Sequence, residues 1–389
     1  MATISDEQRR WRLARRHFLA APASSVEQIA GDLAGLHSSD PVTVYLSCRA
    51  RMQSFGQTDL DTALYQERTL LRLHGMRRTL FVVPPDLAGV MTAGCTSTYV
   101  EPQRKRLVGF LETGGITDDG ETWLHEVESD TLEALERLGE STATELREVV
   151  PALKLKIPFG QSKKWGGQVG VSTRVLFLLA TAGHIVRTRP LGTWISSQYR
   201  WDLLERWCRE GMSLPDPTDA RADLATRWLR AFGPGTLEDI KWWTGWGVGV
   251  TRQALSDCGA VAVDLIDGTG FVMPDDLDDV PEPDEWVALL PSLDPTVMGW
   301  KSRDWYLGGH AGDLFDRNGN AGPTVWANGR VIGGWAQMED GEIRVEPLEP
   351  VAAEIWAMVN EEADRLGEWF GDSRITPRFR TPLEKRFLG

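Results

Sequence analysis

Four consecutive polar residues, His37-Ser38-Ser39-Asp40, place an imidazole, two hydroxyl groups and a carboxylate between two apolar stretches. An imidazole can exchange a proton near neutral pH, and hydroxyl groups can hold a water molecule beside it. Asp40-Pro41 is also a common start of a helix, because Asp accepts hydrogen bonds from free backbone N–H groups and Pro fits the first turn. The residues alone leave two interpretations open, a helix cap or a rigid site at a junction between helices.

The rest of the sequence offers no other recognisable catalytic or metal-binding motif. It has no phosphate-binding glycine loop, no HExxH and no GxSxG. The cysteines are scattered, at Cys48, Cys95, Cys208 and Cys258. That spacing argues against a disulfide scaffold or a zinc-thiolate site. We therefore expect no metal and no cofactor, and we place the candidate catalytic residues at His37, Ser39 and Asp40.

Composition indicates a folded, soluble protein with more than one domain. The 389 residues are 42% hydrophobic and 25% charged, and the net charge is −14. No apolar run approaches the roughly 18–20 residues of a membrane span. The first residues also lack the basic and then apolar pattern of a signal peptide. We expect a cytoplasmic protein with free thiols.

Positive charge is concentrated in one part of this acidic chain. Residues 151–200 contain no Asp or Glu, whereas residues 257–294 are dense in carboxylates. Segregated positive charge can bind a polyanion, with Lys and Arg on phosphates and aromatic rings stacked on bases. Candidate DNA-contact residues lie near the His37 motif, in the acid-free segment and in the C-terminal tail. They are Arg49, Arg51, Arg72, Arg77, Arg78, Lys163, Lys164, Trp165, Arg174, Arg187, Arg189, Arg200, Arg378 and Arg380.

A pattern of helix, helix and hairpin occurs three times along the chain. Helix-start signals of the capping-box type begin at Thr142 and Thr236, and a looser version begins at Ser25. Such repeats predict tandem winged helix-turn-helix units, which are modules that bind duplex DNA. An acidic, Pro-containing linker at 275–284 precedes short β-prone runs, which predict a small β-barrel or sheet.

These patterns predict an α+β fold that is mainly α, with three tandem winged helix-turn-helix units and a small C-terminal β-barrel or sheet domain. The first unit, with the His37 motif and the helices after it, covers residues 1–113. The second unit, with the acid-free segment, covers 114–212, and the third covers 213–274. The C-terminal β-domain covers 285–389 and includes a terminal helix and the basic tail.

The chain resembles the winged-helix DNA-binding family that contains the AlkZ- and YcaQ-type DNA glycosylases. The matching stretches cover nearly the whole chain: 35–41 (GLHSSDP) with Arg49 and Arg51 after it, 76–83 (MRRTLFVV), 192–201 (GTWISSQYRW), 290–295 (LPSLDP) and 376–380 (TPRFR). The resemblance implies three tandem winged helices, a C-terminal β-domain and a concave basic surface for double-stranded DNA. It also implies removal of bulky or crosslinking alkyl adducts from purine nitrogens, in DNA repair or antibiotic self-resistance.

The sequence departs from the family where the family does its chemistry. The family motif after Gly-Leu is Gln, a hydrophobic residue, then Gln or Asp, and here those positions hold His37, Ser38 and Ser39. An N7-alkylated purine is already cationic, so the enzyme chiefly has to place a water near C1′ and stabilise positive charge there. His37 could hold that water or accept its proton, and Ser39 could share it. Asp40 could supply negative charge if it is not fully occupied as a cap.

Our first hypothesis is a monofunctional DNA glycosylase for alkylated or crosslinked purines, with His37 as the water-positioning base. The alternative is a winged-helix DNA-binding or damage-binding protein without catalysis. A third hypothesis is a protein that sequesters a DNA-reactive small molecule. The expected partner is damaged double-stranded DNA, without a membrane. We expect a cytoplasmic monomer that associates with the nucleoid through DNA.

Overall fold

The computed structural model describes residues 1–159, 167–208, 211–377 and 380–388. The fold is mixed, with about half of these residues in helices and the strands in small antiparallel sheets. Within these ranges no helix is long and apolar enough to cross a membrane. Four predicted DNA-contact residues lie outside the described residues, namely Lys163, Lys164, Trp165 and Arg378.

The N-terminal part of the chain forms helices around a three-stranded sheet that contains His37. Its elements are α1 (Asp6–Arg16), α2 (Val26–Asp32), β1 (Leu36–His37), α3 (Pro41–Arg49), α4 (Gln57–Asp61), β2 (Leu71–His74), β3 (Leu80–Val83) and α5 (Pro85–Met91). The strand order is β1-β3-β2, and a 3-10 turn at Met76–Arg78 joins the two strands of the hairpin. The short strand β1 therefore lies beside the second strand of the hairpin.

The next part repeats this arrangement after two long helices. Its elements are α6 (Ser97–Thr113), α7 (Gly120–Leu138), β4 (Ser141–Thr142), α8 (Ala143–Val149), β5 (Lys156–Phe159), β6 (Gly167–Gly170), α9 (Val171–Thr181), β7 (Ile185–Pro190), β8 (Tyr199–Leu203) and α10 (Leu204–Trp207). The sheet order is β4-β8-β7, and β5 and β6 pair as a separate hairpin. Again a two-residue strand pairs with the second strand of a hairpin.

A third copy of the arrangement follows. Its elements are α11 (Pro217–Phe232), β9 (Gly235–Thr236), α12 (Leu237–Thr244), α13 (Val248–Asp257), β10 (Val261–Leu265) and β11 (Gly268–Val272). The strands lie in the order β9-β11-β10. The same strand order thus occurs three times in the described chain.

The C-terminal part is built on a four-stranded antiparallel sheet. Its elements are β12 (Val287–Leu290), α14 (Pro295–Met298), α15 (Asp304–Leu307), α16 (Ala311–Leu314), β13 (Thr324–Ala327), β14 (Arg330–Gln337), β15 (Ile343–Pro347), α17 (Ala353–Phe370) and α18 (Pro382–Leu388). The strand order is β12-β13-β14-β15, and in the described part of the chain the two outer strands do not pair to close a barrel. Of the two predicted forms, the structure has the open sheet.

The helix caps show which helices are equivalent in the three copies. Thr142 and Thr236 each end the short strand of their copy and cap the next helix, and both form complete capping boxes as predicted. Ser25 caps α2, which precedes the short strand of its copy, so α2 is not the equivalent helix. The helix that follows β1 is α3, and its cap is Asp40. The repeat in the sequence is real, but its first member begins at Asp40.

The described residues form two large hydrophobic cores and one small cluster, which contains Ile4 and Val263. One core joins the N-terminal part, the third copy and the C-terminal part, and it includes Leu36, Trp228 and Trp326. The second core belongs to α6, α7 and the second copy, and it includes Leu135 and Val175. The His37 motif therefore rests on the larger core, which fixes its position relative to the third copy and the C-terminal sheet.

Candidate functional site

His37 ends β1, and it is only 7% exposed. It pairs with Phe81 across the sheet, and the two rings meet edge to face with centroids 5.4 Å apart. Neither ring nitrogen has a hydrogen-bond partner among the described residues, and of the two only Nδ1 is fully enclosed. His37 can therefore offer one nitrogen, Nε2, to a water molecule or ligand that enters from solvent.

The surroundings keep the imidazole of His37 neutral. Burial, and then the nearby charge of Arg77, lower the pKa of His37 to about 3. A neutral imidazole accepts a hydrogen bond through one nitrogen and donates one through the other. So low a pKa makes His37 a poor proton acceptor at neutral pH, which favours positioning of a water over its deprotonation.

The two serines after His37 are tied to the hairpin. Ser38 Oγ accepts a 2.8 Å hydrogen bond from Arg72 Nε on β2, and the same guanidinium donates to the hydroxyl of Tyr65 at 2.8 Å. Ser39 Oγ lies 3.5 Å from the backbone nitrogen of Leu80, which donates to it. Ser38 is buried and Ser39 is half-buried, so Ser39 is the hydroxyl nearer to solvent.

Asp40 is a helix cap in the structure. It is the N-cap of α3, and Oδ1 accepts a 3.2 Å hydrogen bond from the Val42 nitrogen, while Pro41 occupies the first turn. Asp40 caps the helix that follows β1. Thr142 and Thr236, which end the short strands of the other two copies, cap the helices that follow those strands. The local geometry thus accounts for an acidic residue at this position without any catalytic role.

Three of the predicted DNA-contact arginines are turned inward by bonds that the sequence pattern does not reveal. Arg51 is 1% exposed and forms a 2.7 Å ion pair with buried Asp294. Arg72 is 2% exposed beneath the His37 motif, and Arg49 pairs with Glu362 of α17. We correct the predictions for Arg51 and Arg72, because both are buried and stabilise the fold. The charge of Arg49 is compensated by Glu362, and its contact with DNA stays a prediction.

The arginines of the acid-free segment have different surroundings. Arg200 pairs with Glu145 at 3.3 Å, so its charge is partly compensated. Arg189 is exposed and donates to the backbone oxygen of Tyr65 at 2.9 Å. Arg187 is half-buried with its guanidinium carbon 5.0 Å from the ring centroid of Trp201. Arg189 is thus the most accessible cation of these three.

A group of cations does converge at the hairpin turn beside His37. Arg77 and Arg78 both have positive φ, 53° and 64°, in the turn between β2 and β3. Arg78 is exposed, and together with Arg106 it lowers the pKa of Arg174, which is first lowered by burial. Burial first, and then the charge of Arg303, lower the pKa of Arg77. The sequence pattern near His37 does not reveal Arg106 and Arg303, because they lie on other segments, α6 and the stretch before α15.

Two further predictions concern the tail and metal ions. Arg380 is exposed and lies between α17 and α18 in the chain. No group of three metal-binding side chains occurs in the portion of the chain that the structure describes. The described site is thus built from cations, hydroxyl groups and a neutral imidazole.

Comparisons with known proteins concern the family and the fold of the chain. The family model of the AlkZ-like DNA glycosylases matches residues 30–369. No curated protein matches the chain. Among solved structures, Streptomyces sahachiroi DNA glycosylase AlkZ is similar with a TM-score of 0.74 and 20% sequence identity. The match covers 97% of this chain and 99% of that one, so the similarity of fold extends over both proteins.

Proposed function

We propose that this chain, which belongs to the AlkZ-like DNA glycosylase family, hydrolyses the N-glycosidic bond of alkylated or crosslinked purines in double-stranded DNA. The observation that carries the proposal is the neutral imidazole of His37, with one accessible nitrogen, at the position of the family motif. The family resemblance supports DNA as the substrate. The charge of the hairpin cations supports contact with its phosphates.

In the proposed reaction, water attacks C1′ of the damaged nucleoside as the bond from C1′ to the purine breaks. The electron pair of that bond stays with the purine and neutralises the positive charge of the N7-alkyl adduct. The water oxygen bonds to C1′, and its proton passes to bulk water. His37 Nε2 holds the attacking water by a hydrogen bond, and Ser39 is the second group within the motif that can orient it. The enzyme leaves an abasic site and does not cut the strand.

We also propose that the three copies of the short strand, helices and hairpin are winged helix-turn-helix units, with the boundaries 1–113, 114–212 and 213–274, followed by a C-terminal domain at 285–389. The repeated strand order supports this assignment. The proposed DNA surface contains Arg77, Arg78, Arg174, Arg187 and Arg189, with Arg380 at its C-terminal side. The proposed protein acts as a monomer in the cytoplasm, at the nucleoid, either in DNA repair or in antibiotic self-resistance.

A direct test incubates the protein with duplexes that carry an N7-alkylguanine or an N7-linked interstrand crosslink. Abasic sites are detected as strand breaks after heat or alkali. We expect release by the wild type and by H125A, a variant of an exposed histidine far along the chain on α7. We expect H37A to lose most of the activity and S39A to lose less. Strand breaks without alkali would contradict the monofunctional mechanism.

The second candidate function is binding of DNA without catalysis. It is favoured by His37-Ser38-Ser39, which stand where the resemblance implies the glutamine-containing motif of the family. It predicts tight binding of duplexes by the wild type and by H37A alike, with no abasic sites on any lesion of a broad panel. Restoring the family residue separates the candidates further. If H37Q gains excision that the wild type lacks, the chain has retained the family surface and lost the family chemistry.

A further inference from the structure

Two arginines from distant segments meet at one tryptophan beside the hairpin turn. The guanidinium carbon of Arg77 lies 4.1 Å from the ring centroid of Trp242, and that of Arg303 lies 4.8 Å from the same centroid. Their separation therefore cannot exceed the sum of those distances. Arg77 belongs to the turn between β2 and β3, Trp242 to α12, and Arg303 precedes α15. The N-terminal part, the third copy and the C-terminal part thus each supply one residue.

The two guanidinium groups lie near the same indole ring, and no carboxylate pairs with either of them within the described chain. Arg77 Nε, Arg303 Nε and Arg303 Nη2 are enclosed and have no hydrogen-bond partner there, so contact with a ligand falls to the two terminal nitrogens of Arg77 and to Nη1 of Arg303. Asp239, one turn before Trp242 on α12, is occupied by backbone N–H groups of Lys301 and Ser302 at 2.8 and 2.9 Å. Burial first, and then Arg303, lower the pKa of Arg77, because charged forms are unfavourable when desolvated and beside a like charge.

The surrounding packing holds both cations in this arrangement. Arg77 has φ 53°, which is strained for a residue with a side chain, and its backbone nitrogen donates to the Tyr99 hydroxyl at 3.2 Å. A Cβ at Gly245 would come within 3.2 Å of Arg77 Cγ, so the glycine makes room for the arginine stem. The guanidinium of Arg303 also lies 4.7 Å from the ring centroid of Phe315. The fold therefore maintains a costly pair of like charges at a half-buried surface position.

We propose that Arg77 and Arg303, held on Trp242, bind a single phosphodiester group of the DNA substrate. Guanidinium groups match phosphate oxygens in geometry, and one phosphate between two guanidiniums replaces repulsion by attraction. The inference rests on the DNA-binding part of the proposed function and goes beyond it by assigning one phosphate to this pair. Arg77 lies in the turn that leads into β3, and His37 pairs with Phe81 of that strand, so the bound phosphate fixes the register of the duplex relative to His37.

The test measures duplex binding by fluorescence anisotropy over a range of salt concentrations. We expect R303Q and R77Q each to weaken binding by roughly tenfold and to lower the salt slope by about one phosphate contact. The affinity of the double variant should be within a few-fold of the affinity of each single variant, because both side chains bind the same phosphate. The matched control is R365Q, which removes an exposed arginine from α17. Fully multiplicative losses, or an R303Q affinity equal to that of R365Q, would overturn the proposal.

Neutral methylphosphonates, placed one at a time along the duplex, identify the phosphate itself. We expect one position at which the substitution weakens binding to the wild type and has little effect on R303Q. Unchanged sensitivity of R303Q at every position would contradict a shared phosphate. If R303Q does not fold, the same scan with R77Q and the conservative variant R303K gives the answer, with circular dichroism as the check of folding.

Two further readouts separate this site from related outcomes. The binding experiments do not depend on excision. If the wild type releases no base but R303Q abolishes the sensitivity to one methylphosphonate, the proposed activity is wrong and the phosphate site is supported. If the wild type excises the base and R303Q has no effect on binding, the proposed activity is supported and the phosphate site is wrong. Inorganic phosphate alone should not raise the melting temperature of the wild type above that in chloride of equal ionic strength. A rise that R303Q abolishes would show a site for free phosphate and overturn the DNA assignment.

Discussion

His37 determines what chemistry the proposed site can perform, and its burial restricts that chemistry. A histidine at its ordinary pKa of about 6.5 would be partly protonated at neutral pH and could exchange protons with a substrate. The pKa of His37 is lowered to about 3 by burial and by Arg77, so its imidazole stays neutral. Glutamine, which the family resemblance implies at this position, is also neutral and also both donates and accepts hydrogen bonds. His37 and glutamine can thus fill the same role of orienting water.

This equivalence gives a prediction for the pH dependence of excision. If the protein releases N7-alkylated purines, the rate should show no inflection near pH 6.5, because His37 does not titrate there. H37Q should retain more activity than H37A, since only glutamine preserves hydrogen bonding. Single-turnover rates between about pH 5 and 8 measure both effects. A rate that falls with an apparent pKa near 6.5, and does so only when His37 is present, would contradict a water-positioning role.

Arg72 supports the motif from below. Its guanidinium bonds Ser38 and Tyr65 and lies 4.6 Å from the Tyr199 ring, all within the interior. Replacing it by methionine should lower the free energy of unfolding by roughly 3 kcal/mol, since buried polar partners lose their bonds. S38A should cost only about 1 kcal/mol. Urea denaturation followed by circular dichroism checks both values. If R72M folds but loses affinity for DNA, Arg72 is a DNA-contact residue after all.

At the scale of elements, α3 determines the role of Asp40. Asparagine caps a helix about as well as aspartate, whereas alanine costs about 1 kcal/mol. We therefore expect D40N to keep both stability and excision, and D40A to lose about 1 kcal/mol in urea denaturation. T142A, at the equivalent cap of α8, should lose a similar amount and serves as the control. If D40N stays as stable as the wild type but loses excision, the negative charge of Asp40 takes part in catalysis.

Elements specified by neighbouring residues were predictable, and elements specified by distant residues were not. The capping boxes at Thr142 and Thr236 depend on residues three positions apart, and the structure confirms both. The strand β1 has two residues and exists only because β3 pairs with it, so no local periodicity reveals it. Arg51 was assigned to DNA because its partner, Asp294, lies 243 positions away in the sequence. For the same reason the sequence did not associate Arg303 with Arg77.

The whole molecule places its acidic and basic segments against each other in one region and apart in another. Arg12 and Arg16 of α1 pair with Asp276 in the acidic linker, and Arg15 donates to the backbone oxygen of Pro281. The linker is thus bound along a basic helix and does not extend freely from the protein. Arg77, Arg78 and Arg303, at or near the hairpin turn, form no ion pair within the described ranges. Charge segregation therefore leaves positive charge beside His37 despite the net charge of −14.

Three buried histidines give the molecule a common response to acid. Burial lowers the pKa of His17, His37 and His74 to about 3, with Arg51, Arg77 and Arg187 adding to the effect in that order. Unfolding restores an ordinary pKa of about 6.5, so the unfolded chain binds more protons between these two values. Stability contributed by keeping these rings neutral is complete above the unfolded pKa and is lost as pH falls below it.

We therefore expect the free energy of unfolding to fall by roughly 3–4 kcal/mol when the pH drops from about 6 to about 5, with about 1 kcal/mol from each ring. H17Q, H37Q and H74Q should each remove about one third of this slope, because glutamine does not titrate. H125Q, at an exposed histidine, should leave the slope unchanged. Urea denaturation at several pH values measures these slopes, above the range in which most carboxylates protonate. A wild-type slope near zero, or equal slopes for H37Q and the wild type, would show that His37 is protonated in the folded protein and would also remove the basis for a neutral imidazole at the site.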